Sequence, residues 1–61
     1  MSKEQMETLA AALYAVAQEY SKLADIAMKN RDRHMCARMV RREIEAANRA
    51  RAAELGNDYR I

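Results

Sequence analysis

The sequence predicts an all-α chain, a two-helix antiparallel hairpin that homodimerises into a four-helix bundle. Three observations predict it. Ala, Glu, Lys, Leu and Arg supply 34 of the 61 residues, with no proline and one glycine, which is the composition of long helices packed closely together. Two apolar patterns of helical period flank a single short polar run. Finally, 13 of the 31 hydrophobic residues are alanine, and Leu, Ile and Val number only nine, so a lone chain of this size has little to bury and self-association supplies the rest. An all-β fold, a collagen-like chain and a disulfide-stapled domain are excluded on the same grounds.

The first helix, about residues 3–29, opens at Ser2, with Gln5 three residues later in capping-box spacing. Glu4 and Glu7 lie in the first two turns, where the helix dipole favours negative charge. Met6, Leu9, Leu13, Val16, Tyr20, Leu23 and Ala27 then recur at alternating spacings of three and four, an a/d heptad seam. Ala10, Ala17 and Ala24 follow the d positions, and small residues there let another helix approach closely. Ala12 and Ile26 widen the apolar face beyond a two-stranded stripe, so this helix expects more than one neighbour.

The polar run Lys29–Arg33 marks a turn at about residues 30–32. Asn30 suits the left-handed conformation that ends a helix, and Asp32 suits the N-cap of the next. Neither Gly nor Pro enforces the break, so a single bent helix is the alternative to a hairpin. The second helix, about residues 33–55, has Cys36, Ala37, Val40, Ile44, Ala47 and Ala50 along one side, with Met35, Met39, Ala46 and Ala53 beside them. Gly56 and Asn57 give a helix stop, and residues 58–61 form a short tail packing at most through Tyr59 and Ile61. The two helices, roughly 40 and 34 Å long at 1.5 Å per residue, match well enough to lie antiparallel as one domain, residues 1–61. The expected oligomer interface is Met6, Leu9, Leu13, Val16, Tyr20, Leu23, Val40 and Ile44.

Charge divides the chain unevenly. Net charge is +2, yet residues 1–28 sum to −2 and residues 29–61 to +4, and the asymmetry says more than the total. Eight arginines against three lysines suit planar, bidentate recognition of carboxylate or phosphate. Arg38, Arg41, Arg42 and Arg49 are therefore the candidate partner-binding residues, with Tyr14, an aromatic outside the seam, as a candidate anchor. The bland alternative for the arginines is a solvated lattice of i,i+4 pairs, Arg41–Glu45 and Glu45–Arg49, and for Tyr14 it is packing under a neighbouring hairpin. Met28, Met35 and Met39 gather round the turn and read as core ahead of a binding surface.

Little in the chain suggests chemistry. His34 and Cys36, two residues apart, point about 200° from each other on a helix and cannot share a metal or a proton. Cys36 reads as a small buried residue near the turn, His34 as an exposed or capping residue, and neither is set up for catalysis by Glu43 or Glu45. No phosphate-cradling glycine loop and no acid–base pair at reachable spacing occurs. No enzyme activity, catalytic residue, cofactor or metal is expected. A lone cysteine, no basic-then-apolar leader and no apolar run near 20 residues point to the cytoplasm, with no membrane partner.

The capped heptad helix, short polar turn and alanine-rich second helix resemble the Rop-type RNA-binding plasmid regulators, which are dimers of helical hairpins. The likeness is of plan, and no residue role is carried over. In size and texture, the stretch MSKEQMETLAAALYAVAQEYSKLADIA with its arginine-rich partner helix resembles the small early proteins of lambdoid phages, those of the exo-xis region. That resemblance implies a non-enzymatic protein that binds a host factor, in the host cytoplasm, and perturbs replication, cell cycle or the lysis–lysogeny choice. The expected partners are a second copy and an acidic host protein. The runner-up is a Rop-like nucleic-acid binder, and a purely structural helix pair is the third reading.

Overall fold

A computed structural model describes residues 2–55. Helix α1 spans Lys3–Lys29 and helix α2 spans Arg33–Glu54, packed side by side as a hairpin in a body of 43 × 15 × 14 Å. The single bent helix is thereby set aside. The helix stop expected at Gly56 and Asn57, and the tail with Tyr59 and Ile61, lie outside the described residues.

Both helix starts form as their residues dictate. The Gln5 amide donates to Ser2 Oγ at 3.1 Å while the Ser2 amide donates to Gln5 Oε1 at 2.9 Å, so two amides that the helix leaves over are satisfied reciprocally. At α2 the Met35 amide donates to Asp32 Oδ1 at 3.0 Å. The turn corrects one expectation. Asn30 stays right-handed at φ −86°, and Arg31 takes the left-handed position at φ 56°. The Arg31 amide donates to Met28 O (3.0 Å) and the Asp32 amide to Ala27 O (2.9 Å), the paired closure of a Schellman motif with Arg31 at C′. Asn30 is one residue too early because α1 runs to Lys29 and makes Asn30 itself the cap. A Cβ at a left-handed position costs roughly 1–2 kcal/mol, partly offset by glycine's extra freedom when unfolded. Arg31→Gly is therefore expected to stabilise the hairpin by about 0.5–1 kcal/mol, seen as a melting midpoint several degrees higher.

The core is made of alanine. Ala10, Ala17, Ala24 and Ala27 on α1 and Ala46, Ala50 and Ala53 on α2 are the buried hydrophobic residues, and no large side chain among the described residues is fully buried. Around this line Met6, Leu9, Leu13, Tyr20, Cys36, Met39, Glu43 and Ala47 are half-buried. The reason is distance. Methyl side chains let two backbones approach more closely than Leu or Val allow, so the heptad-spaced alanines of α1 became the contact line and the larger residues were turned aside. On α2 the same rule shifts the contact line to one edge of the expected side, where Ala50 is buried and Cys36 and Ala47 are half-buried. Ala37, Val40 and Ile44 are exposed, whereas Ala46, Ala50 and Ala53 face α1.

Candidate interaction surface

Position around each helix decides which flank of the hairpin a residue occupies. At about 100° per residue, measured from Ala17, the α1 residues Leu13, Tyr20, Leu9, Val16 and Leu23 fan out on one side only, from about 40° to about 120°. Val16 is 43% exposed and Leu23 is 40% exposed. The heptad seam thus runs from the contact line outward, with Ala27 buried, Met6, Leu9, Leu13 and Tyr20 half-buried, and Val16 and Leu23 open.

On that same flank, α2 presents arginine. Leu13, Val16 and Tyr20 line a shallow hollow of about 120 Å³ together with Arg42, Glu45, Ala46 and Arg49. Arg38, one turn before Arg42, falls on the same side by helical position, and Arg41 points to the outer edge of α2. The apolar seam and three of the four candidate arginines therefore form one continuous amphipathic surface, a juxtaposition that sequence spacing within either helix could not reveal.

Val40 and Ile44 belong elsewhere. They lie about 80° and 120° round α2 from the fully buried Ala50, on the side away from Arg42 and Arg49. With exposures of 40% and 55% they make a second apolar patch on the opposite flank of the hairpin. The structure does not bring them to the α1 seam with which the sequence grouped them.

Tyr14 shares that opposite flank. Its hydroxyl donates to Glu54 Oε2 at 3.1 Å, bridging the helices across 40 residues of chain. Loss of solvent around the hydroxyl raises the phenol pKa above its ordinary value of 10.0; the hydrogen bond to Glu54 and that carboxylate's charge add to the rise, while Arg51 opposes it. A raised folded-state pKa means that the stabilisation is complete below pH 10 and is lost as pH climbs through the folded value. The phenolate absorbance difference between the native chain and Tyr14→Phe is expected to titrate above pH 10, and Glu54→Gln to move it back down. A Tyr14 midpoint at or below 10 refutes the bond's influence.

The expected ion-pair lattice is thinner than its spacing suggests. Among the described residues Glu19–Lys22, at 3.3 Å, is the exposed i,i+3 pair, and Arg38, Arg41 and Arg42 have no ion pair. Arg49 is engaged in an interaction of its own. Arg41 and Glu45 do not close the i,i+4 pair that their spacing allows. At the turn, Met28, Arg31, Asp32, Arg33, Cys36 and Ala37 line a wider open hollow of about 610 Å³. Cys36 is a half-buried free thiol there, and His34 is exposed on α2's first turn. No group of three or more His, Cys, Asp or Glu residues able to hold a metal occurs among the described residues. No helix among them is long and apolar enough to cross a membrane.

No protein-family model, curated protein or solved structure matches this chain.

Proposed function

We propose that this chain is a small non-enzymatic protein-interaction module that self-associates through the open seam of α1 and engages an acidic partner with the arginines of α2. One observation carries the reading, the exposed Val16 and Leu23 seam edged by Arg42 and Arg49 on a single flank. An apolar strip bordered by cations is the complement of an amphipathic helix with an acidic margin. The resemblance to small early phage proteins supports a host factor as that partner, in the host cytoplasm. Helices whose shared core is alanine gain little from packing as a pair, which favours a second copy over the seam.

The outer cation is the one to test for the acidic partner. Reversing Arg41 together with Arg38 to Glu leaves every buried alanine untouched, so helicity is expected to persist while capture of an acidic partner from host extract falls at least about ten-fold, the scale of one or two lost charge pairs. Undiminished capture rejects the arginines as contacts.

A second reading is favoured by the absence of ion pairs at Arg38, Arg41 and Arg42. Paired hairpins could direct these cations at phosphates, as in a Rop-like nucleic-acid binder. Such binding weakens steeply with salt because counterions are released. A gel shift with no complex at ~50 mM salt removes it.

A further inference from the structure

We infer that the second copy seats its α1 parallel to the first, with the two-fold axis along the helices, so that Glu19 of each copy lies against Arg42 of the other. The inference rests on the self-association proposed above and names its geometry. The open seam of α1 has two unlike edges. Its inner edge is α2, with Arg42, Glu45 and Arg49 in the shared hollow and Arg38 one turn before Arg42, so that edge carries a net positive charge. Its outer edge is the heptad line Gln5, Ala12, Glu19 and Ile26, at about 120–180° from the alanine contact line, where Glu19 is the acid and Ile26 is 53% exposed.

Symmetry then decides which edges meet. A two-fold axis perpendicular to the helices, as in an all-antiparallel bundle of hairpins, sets inner edge on inner edge. The Arg38 and Arg42 columns of the two copies, offset on each only by Glu45, would face each other, and the net like charge of that arrangement opposes association. A two-fold axis along the helices sets inner edge on outer edge, so arginine meets the Glu19 line. It also preserves height along the axis. Because Arg42 shares a hollow with Tyr20, the second copy's Glu19 comes level with Arg42. Val40 and Ile44, on the far flank, take no part in this interface.

Cysteine crosslinking reads the orientation directly, in a Cys36→Ala background beside sedimentation equilibrium. Leu9→Cys and Leu23→Cys are each expected to form disulfide-linked pairs with themselves, since a parallel two-fold brings like residues together. Crosslinks that form only when the two variants are mixed place Leu9 opposite Leu23, which overturns the parallel arrangement and leaves self-association standing. A 7 kDa species without crosslinks overturns both and opens the seam to a different protein's helix. For the charge pair, Arg42→Glu and Glu19→Arg are each expected to raise the dissociation constant about ten-fold, and their combination to restore it. A combination no tighter than the single variants overturns the Glu19–Arg42 contact.

Discussion

Ala50→Leu is expected to unfold the hairpin. Ala50 is fully buried at the α1–α2 contact, in a line with Ala46 and Ala53 and against the line of Ala10, Ala17 and Ala24. Three further carbons at that contact push the two helices apart, because the small size of these residues is what lets them approach. Overpacking in a well-packed core typically costs about 1–3 kcal/mol, and a close helix–helix contact lies at the upper end. A chain of 61 residues has only a few kcal/mol to lose. Circular dichroism should show the loss of most of the helical signal and of a cooperative melt. Ala11→Leu is the control. Ala11 is exposed on α1, away from the seam, and the same added bulk there should leave the fold intact. Cooperative unfolding of the Ala50 variant at the native midpoint would mean that the alanine line is not the core.

Val16→Asp combined with Leu23→Asp carries the second large effect. Both side chains are exposed in the hairpin, at 43% and 40%, so within one chain the replacement removes little packing. In a dimer through the α1 seam each change occurs twice. Losing the burial of a Val or Leu forfeits about 1.5–3 kcal/mol per side chain, so the pair should weaken association by at least about a thousand-fold. The chain should sediment at 7.0 kDa, with helicity falling as the marginal hairpin loses its cover. The matching change on the other flank, Val40→Asp with Ile44→Asp, should leave the dimer in place because those residues face away from the seam. Equal loss from both double variants would require an interface on both flanks. An unchanged dimer in the first variant would remove the seam as the interface.

Much of the secondary structure was legible because its causes are local. Ser2 and Gln5 close a capping box, Asp32 caps α2, and the heptad period of α1 needs no distant residue to be read. The turn was legible to within one residue. Asn30 is the better left-handed residue by type, yet the register of the last helical turn handed that conformation to Arg31. Local preference of about 1 kcal/mol yields where continuing the helix adds a backbone bond.

The candidate site was legible only in parts. Leu9, Leu13, Val16, Tyr20 and Leu23 were recognisable as one seam, and the arginine excess of the second half was plain in the composition. Their meeting on one flank was not, nor was the turning away of Val40, Ile44 and Tyr14. Those facts depend on how far each helix rotates about its own axis when the two pack. The rotation of α2 is chosen by a competition between the larger apolar residues Val40 and Ile44 and the smaller Ala46, Ala50 and Ala53, which win the contact because they allow the closer approach.

Two capped helices, the turn between them, an apolar seam and a cationic helix each follow from neighbours within a few residues and so could be read from the chain alone. That alanine forms the core, that the seam and the arginines share a face, and that a second apolar patch lies behind them emerge when α1 and α2 pack. The physical reason is that close approach of two backbones is a property of the pair: the smallest side chains win the contact, and every larger residue takes the side that this leaves to it.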